Sequence, residues 1–303
     1  MMPEHEPRIA TAGRVALEAL AQARSAAVAG KTSRGVFLRL DHGWVIFVSY
    51  EAQRGPLTLN LRGAPGALPD LESGSIGVCS PERIFFPHPG LTLSLAQAEA
   101  WQAPAPAGEP LPPDLIRSQL ITMARLGSTS PVASGLAALL PAVVGMPELS
   151  PHQNADYSPK IARLQTACRD GQAPAMAEAL GAFLGLGPGL TPSGDDLVSG
   201  FLLAANRWGR RLQPGLDFTR LNQGIVGGAR RATSDISASL IACAAGGQAD
   251  ERLILALDGI VTAAPDANAC FAALTGWGSS SGYDALVGMA IFLTHGISLT
   301  SSI

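Results

Sequence analysis

The chain changes its local chemistry near residue 102, and this change restricts the possible folds more than any other feature of the sequence. Residues 34–95 contain short runs of β-forming residues, such as GVFLRL, WVIFVSY, LTLNL, RIFFP and LTLSL, separated by turns with Gly and Pro. The segment QAPAPAGEPLPPD at 102–114 has the composition of a linker, and little strand signal follows it. We therefore expect an α+β protein: a β-rich N-terminal domain, either an antiparallel sheet or a small barrel, followed by a larger all-helical domain.

The same change sets the predicted domain boundaries. We expect an N-terminal helix plus the β-rich domain in residues 1–101, a linker in 102–112, and the helical domain in 113–303. The N-terminal helix is predicted over 11–29, where an Ala-rich segment with apolar residues at helical spacing ends at Gly30. A chain of 303 residues is long enough for two domains.

Apolar residues at helical spacing predict ten helices in the second domain. They are expected near 113–126, 131–140, 158–169, 173–184, 192–208, 217–231, 234–245, 250–262, 266–274 and 282–295.

Composition excludes several classes of protein. The net charge is −3, from 21 basic and 24 acidic residues, and no basic stripe indicates nucleic-acid binding. The longest apolar run near the C-terminus, at 285–293, is too short to cross a membrane. The four cysteines are scattered, which indicates neither a disulfide framework nor a zinc site. We expect a soluble cytoplasmic protein whose low charged fraction of 15% suits tight helix packing or burial in an assembly.

The segment GLGPGLTPSGDDLVSG at 185–200 is the strongest candidate for a site. Thr191 followed by Pro192, or the capping box formed by Ser193 and Asp196, would each explain a helix start. Capping leaves the alternating glycines and the second aspartate unexplained, whereas a Gly-rich loop leading into a helix is typical of ligand sites. Both interpretations, a well-capped loop and a ligand site, stay open from the residues alone.

The chemistry of this segment narrows the ligand. It is neither a P-loop, which requires a Lys before the Ser or Thr, nor a dinucleotide fingerprint, which follows a strand. Adjacent carboxylates repel a bare phosphate. Asp195 and Asp196 are therefore expected to bind either a cation such as Mg²⁺ or the N–H groups of an amide, urea or carbamoyl group.

Two further helix starts have the same composition. The segment TSDISASLIACAAGG begins with Thr233, Ser234 and Asp235, and the segment GWGSSSGYDALVGM contains three serines before Tyr283 and Asp284. Each alone is typical of a helix cap, including a capping box from Ser281 to Asp284. Together, three such N-termini would form one pocket for a small polar anion if they lie within about 20–24 Å, two helix diameters.

In this order, the three segments resemble the signature blocks of the AllH-type subunit family of FdrA-type oxamate carbamoyltransferase. The resemblance covers roughly residues 180–295, and the first block is its most specific part. In the third block, Tyr283 replaces the Trp that the family often has before the Asp. The β-rich N-terminal region fits the family by layout rather than by motif.

The resemblance implies a subunit of a carbamoyltransferase that also contains FdrA-like and other subunits. The implied reaction converts oxalurate and phosphate to oxamate and carbamoyl phosphate in purine and allantoin catabolism. Which subunit carries the chemistry is not implied. A carbamate kinase would then use the carbamoyl phosphate to make ATP.

The expected site combines the residue chemistry with this resemblance. Asp195 and Asp196 are the candidate catalytic residues, and also the candidate ligands should Mg²⁺ be required; no cofactor is otherwise expected. Hydroxyls and backbone N–H groups would bind the anion, so that transfer proceeds by positioning, without a protein nucleophile. The candidate substrate-binding residues are Gly187, Gly189, Thr191, Ser193, Gly194, Thr233, Ser234, Asp235, Ser280, Ser281 and Asp284.

Two other functions remain open at this point. One is a stand-alone Mg²⁺-dependent hydrolase, because the Asp-rich helix starts loosely resemble those of the helical ADP-ribosylglycohydrolases, although that family's GGDTD pattern is absent. The other is a non-catalytic scaffold subunit, which the apolar, charge-poor composition suits.

Overall fold

The computed structural model describes residues 7–62, 71–129, 135–147 and 156–297. The chain divides into two compact units, Met1–Pro104 and Ala105–Ile303, and the division falls inside the predicted linker. The first unit is β-rich and the second is helical, so the expected α+β class is confirmed. In the described part of the chain, no helix is both long and apolar enough to cross a membrane.

The β-rich unit contains a nine-stranded sheet in its described residues. Its strands are β1 (Ile9–Gly13), β2 (Ser25–Thr32), β3 (Gly35–Leu40), β4 (Val45–Ser49), β5 (Thr58–Leu61), β6 (Ile76–Ser80), β7 (Arg83–Phe86), β8 (Leu91–Ser94) and β9 (Glu99–Trp101). The strand order is β8-β7-β6-β2-β3-β4-β5-β1-β9. Most neighbours are antiparallel, but β4 with β5 and β1 with β9 are parallel, so the sheet is mixed.

The predicted helix over 11–29 is wrong in most of its length. Only α1 (Arg14–Gln22) is helical, between β1 and β2. In β2, Ala26 and Val28 are buried and pair with Leu40 and Leu38 of β3, so sheet pairing overrides the helical preference of alanine.

The helical unit contains α2 to α11 in its described residues. They are α2 (Pro113–Ser128), α3 (Leu140–Val143), α4 (Ser158–Arg169), α5 (Ala173–Gly181), α6 (Ser193–Leu212), α7 (Phe218–Ala232), α8 (Asp235–Ala245), α9 (Glu251–Thr262), α10 (Ala267–Thr275) and α11 (Ser281–His295). These agree closely with the predicted ranges except at 131–140. There, residues 131–134 lie outside the described residues, and a 3₁₀ turn at Ala137–Leu139 leads into the short α3.

The centre of the helical unit is the contact between α6 and α11. Both helices are buried over most of their length, with Phe201 and Phe292 packed edge to face at 5.5 Å between ring centroids. Gly200 and Gly288 lie at the contact, where an added Cβ would overlap the backbone of the other helix. This close approach fixes the start of α6 relative to the start of α11.

Candidate functional site

The loop before α6 explains the alternating glycines. Gly185, Gly187 and Gly189 have φ of +74°, +113° and +100°, a region that other residues rarely adopt. A Cβ on Gly187 would also lie only 3.0 Å from the backbone nitrogen of Ser193. The glycines are therefore required by the path of the loop, whose residues 187–190 are exposed.

The first turn of α6 is not capped by a side chain. Pro192 occupies the N-cap position, and its carbonyl accepts the bonds from the N–H groups of Asp195 and Asp196 at 2.8 and 3.1 Å. Predicted caps from Thr191 or Ser193 are therefore wrong. Because these hydroxyls are not used for capping, they can contact the neighbouring helix start.

Asp195 holds three segments together. It is 1% exposed, and its Oδ1 accepts a bond of 2.7 Å from the N–H of Gly185. Its Oδ2 accepts a short bond from the hydroxyl of Thr233, at the end of α7. Both oxygens of Asp195 thus have protein donors, and the carboxylate links α6 to its own loop and to the α7–α8 connection.

Asp196 lies beside Asp195 but is less well satisfied. It is also 1% exposed, and the hydroxyls of Ser281 and Thr191 interact with it. Among the described residues, no donor or acceptor reaches its Oδ2. Burial raises the pKa of Asp196 well above 3.8, the nearby Asp284 carboxyl raises it further, and the two hydroxyls oppose this shift only partly.

Asp284, in the first turn of α11, is completely buried. Its Oδ1 accepts a bond of 2.5 Å from the N–H of Leu136, and its Oδ2 accepts one of 3.0 Å from the hydroxyl of Ser280. Ser193 also interacts with this carboxyl. Burial raises the pKa of Asp284 despite these bonds. The predicted capping box from Ser281 to Asp284 is wrong, since α11 has no side-chain cap.

The three helix starts lie close together, as expected; that they form one pocket for a small polar anion stays a prediction. The hydroxyl oxygens of Thr191 and Ser281 are 3.4 Å apart, which joins α6 to α11. The hydroxyl of Ser234 donates to the carbonyl of Leu190 at 3.0 Å and accepts from the N–H of Ser237, so it both caps α8 and holds the loop.

Two expected residues play other parts in this geometry. Gly194 is buried and donates its N–H to the carbonyl of Leu186 at 2.9 Å; a Cβ there would overlap the carbonyl of Phe183. At the start of α8, Thr233 contacts α6 and Ser234 contacts the loop, and the carbonyl of Asp235 accepts a bond from Ser239 within α8. The ligand roles assigned to the site residues stay predictions.

Tyr157, just before α4, is a neighbour of the site that sequence reasoning missed. Its ring stacks on Phe183 with centroids 6.3 Å apart, and its hydroxyl lies 3.5 Å from the position of a Cβ on Gly187. Burial raises its pKa, with smaller contributions from Asp284, Asp156 and Asp195. No motif marks Tyr157, because its position depends on how α4 packs.

The donors and acceptors in the cluster suit hydrogen bonding better than metal binding. The described residues contain no group of three or more His, Cys, Asp or Glu side chains placed to hold a metal ion. Both oxygens of Asp195 already accept hydrogen bonds. The expectation that Asp195 and Asp196 together bind Mg²⁺ stays a prediction, and it draws no support from these contacts.

Fold and site together define a class: a two-unit α+β protein whose helical unit gathers three buried carboxyls and six hydroxyls at three helix starts. Residues 183–293 match the family model described as oxamate carbamoyltransferase subunit AllH. The matched residues begin just after α5, run almost to the end of α11 and include all three helix starts. Neither the curated proteins nor the solved structures contain a match to the chain.

Proposed function

We propose that this protein is a subunit of an oxamate carbamoyltransferase complex. The proposal is carried by one observation: the range that matches the AllH family model contains the three helix starts with the predicted site residues, and hydrogen bonds join these three helix starts. Because the matched range surrounds the buried carboxyls of Asp195, Asp196 and Asp284, we infer that it binds a ligand. The reaction would take place in the cytoplasm, as part of purine and allantoin catabolism.

The proposed reaction is the phosphorolysis of oxalurate. A phosphate oxygen attacks the ureido carbonyl carbon, and the bond from this carbon to the nitrogen shared with the oxalyl group breaks. That nitrogen takes up a proton and leaves as the amide of oxamate, while the carbamoyl group stays on phosphate as carbamoyl phosphate. No oxidant, reductant or covalent enzyme intermediate is required.

The site contributes positioning and hydrogen bonds in this proposal. The hydroxyls of Thr191, Ser193 and Ser281 can both donate and accept, so they suit the carbonyl and carboxylate oxygens of oxalurate and oxamate. The loop 187–190 is exposed, and we assign it as the side from which the substrate enters. Holding both reactants in one geometry is the main source of rate enhancement when no nucleophile is used.

Partner subunits, including an FdrA-like one, are part of the proposal. In the β-rich unit, Ile76 and Val78 of β6 are 64% and 58% exposed, and Phe85 of β7, paired with Val78, is 37% exposed. Apolar side chains clustered on one sheet face are typical of surfaces that another protein covers. This feature also suits the alternative of a scaffold subunit without a catalytic role.

The test is a reconstitution. The chain is co-expressed with an FdrA-like subunit and the remaining subunit, and carbamoyl phosphate formation from oxalurate and phosphate is measured with and without this chain. We expect activity only in the full complex, and a loss of about 100-fold or more with the double substitution Thr191→Val and Ser281→Ala, which removes hydroxyls that orient the substrate. Thr122→Val, on the exposed face of α2, is the matched control.

The outcomes separate the candidate functions. A complex that assembles with the double variant but is inactive supports a part in the chemistry. A double variant that fails to assemble supports the scaffold function. Transferase activity in the absence of this chain would contradict the proposal.

A further inference from the structure

Oδ2 of Asp196, in the helical unit, is a buried polar atom without a hydrogen-bond partner in the part of the chain that the structure describes. Asp196 is 1% exposed, yet no polar group in the described residues bonds to its Oδ2. Buried polar side-chain atoms are almost always hydrogen-bonded, because an unmatched one carries the full penalty of leaving water. The exception therefore requires an explanation.

The two neighbouring aspartates, Asp195 and Asp284, each accept hydrogen bonds on both carboxyl oxygens. Asp195 accepts bonds from Gly185 and Thr233, one on each oxygen, and Asp284 accepts bonds from Leu136 and Ser280 in the same way. The carboxyls of Asp195 and Asp284 both interact electrostatically with Asp196, which has no equivalent donor on Oδ2 among the described residues. Oδ2 of Asp196 is thus an acceptor that the described part of the fold does not pair.

The surroundings indicate the chemistry of that donor. The hydrogen bonds identified at the three carboxyls come from backbone N–H groups and hydroxyls, and none of them comes from Lys, Arg or His. An anionic group placed directly against Oδ2 of Asp196 would therefore be repelled, whereas an N–H donor would be attracted. The adjacent hydroxyls of Thr191 and Ser281 can each donate or accept. A primary amide or ureido group presents N–H donors to an acid and a carbonyl oxygen to hydroxyls, and it carries no charge of its own.

We propose that Oδ2 of Asp196 accepts an N–H bond from the amide or ureido group of a small ligand, whereas Asp195 only holds the site together. The inference rests on the proposed function, since oxamate and oxalurate carry these groups, and it divides the two adjacent aspartates into different roles. A carboxyl keeps an acceptor oxygen whether it is ionised or neutral, so the role does not depend on its charge.

The first test is the stability of the full chain without ligand. Asp195→Asn should lower the melting temperature by about 3 °C or more, because it disturbs two buried hydrogen bonds. Asp196→Asn should leave the melting temperature unchanged or raise it, because it replaces an incompletely satisfied acid with a neutral amide. Asp266→Asn, at the N-cap of α10, is a control that alters a helix cap far along the chain. If Asp196→Asn destabilises as much as Asp195→Asn, Asp196 is structural and the proposal is wrong.

The second test is binding, measured by calorimetry with oxamate and with pyruvate. Pyruvate has the same charge and nearly the same shape as oxamate, with a methyl group in place of the amide nitrogen, so it is the matched probe without N–H donors. We expect oxamate to bind the full chain about tenfold or more tightly than pyruvate, the ratio that one good hydrogen bond provides. Asp196→Ala should remove this preference, while Asp266→Asn should keep it. Equal binding of the two probes, a preference that survives in Asp196→Ala, or no binding of oxamate would overturn the proposal.

The failure of this inference and of the proposed function give different results. An active complex that stays active with Asp196→Ala contradicts the role of Asp196 and leaves the transferase assignment intact. A full chain that prefers oxamate through Asp196 but forms no carbamoyl phosphate in the complex supports the site and contradicts the assigned reaction.

Discussion

Gly200 of α6 lies directly against the backbone carbonyl of Ala285 in α11, with no space for a Cβ atom between them. Ala285 follows Asp284, and Gly200 comes one helical turn after Asp196. The contact therefore determines how far apart these two buried carboxyls lie. Gly200 therefore determines both how closely α6 and α11 pack and how far apart Asp196 and Asp284 lie.

Gly200→Ala should destabilise the protein by about 3 kcal/mol, because the added methyl group forces the two helices apart. The control is Gly227→Ala in α7, where an added Cβ has open space around it. That change should stabilise by up to about 1 kcal/mol through helix propensity. Denaturant unfolding of both variants measures the difference, and equal stability of Gly200→Ala and the wild type would contradict the described packing.

Thr233→Val should destabilise by about 1–3 kcal/mol. The valine keeps the shape of the side chain but leaves Oδ2 of Asp195 buried without its donor. Thr122→Val removes an exposed hydroxyl that bonds to its own helix, and should change stability by no more than about 0.5 kcal/mol. Thermal unfolding compares the two, and similar small effects would mean that Thr233 does not hold the loop to α6.

The pH dependence of stability should carry the signature of Asp196. A raised pKa means that the folded state binds this proton more tightly than the unfolded state does. The resulting stabilisation is complete below the unfolded pKa, near 3.8, and is lost as the pH rises through the higher folded pKa. Urea unfolding across this range should therefore show a steeper decline with rising pH for the wild type than for Asp196→Asn. Parallel curves would show that Asp196 titrates normally.

Asp258→Ala should destabilise by about 3 kcal/mol. Asp258 of α9 accepts bonds of 2.7 and 2.6 Å from the guanidinium of Arg207 and one of 2.8 Å from the indole of Trp208. The Arg207 side chain is 2% exposed, so the variant leaves a buried charge unpaired. Glu178→Ala breaks the exposed pair with Arg163 and should change stability by less than about 1 kcal/mol. Free energies of unfolding of the two variants test this difference. Equally small effects of Asp258→Ala and Glu178→Ala would mean that the buried pair contributes little to stability.

Mg²⁺ at millimolar concentration should leave the melting temperature of the full chain unchanged. The reason is that both oxygens of Asp195 are already bonded and the described residues offer no cluster of three metal-binding side chains. A rise of several degrees that Asp196→Asn removes would instead support the metal site that the sequence allows.

Local chemistry was enough to predict the class of fold and most of the helices, because apolar spacing in α6 to α11 reflects real burial. It failed over 11–29, where the many alanines favour a helix but Ala26 and Val28 are held in β2 by pairing with β3. The mixed sheet could not be predicted either. Parallel pairing of β4 with β5 joins segments whose relation is set by the whole sheet rather than by either strand.

The site was predictable in its members and not in their roles. Three Asp-containing helix starts were visible as a pattern, and they meet. Asp195 and Asp196 look equivalent in the sequence. In the structure, Thr233 donates a hydrogen bond to Asp195, whereas no described residue donates one to Oδ2 of Asp196. Distances between residues far apart in the chain decide this difference, as they decide the position of Tyr157.

The order of the site residues along the chain has a consequence for synthesis. Asp195 and Asp196 leave the ribosome long before Asp284, which belongs to the last helix described. Until α11 emerges, α6 lacks the helix that buries it, and its apolar face is open to chaperones or to aggregation. A chain that stops before α11 would therefore contain Asp195 and Asp196 without Asp284, and the three helix starts could not come together.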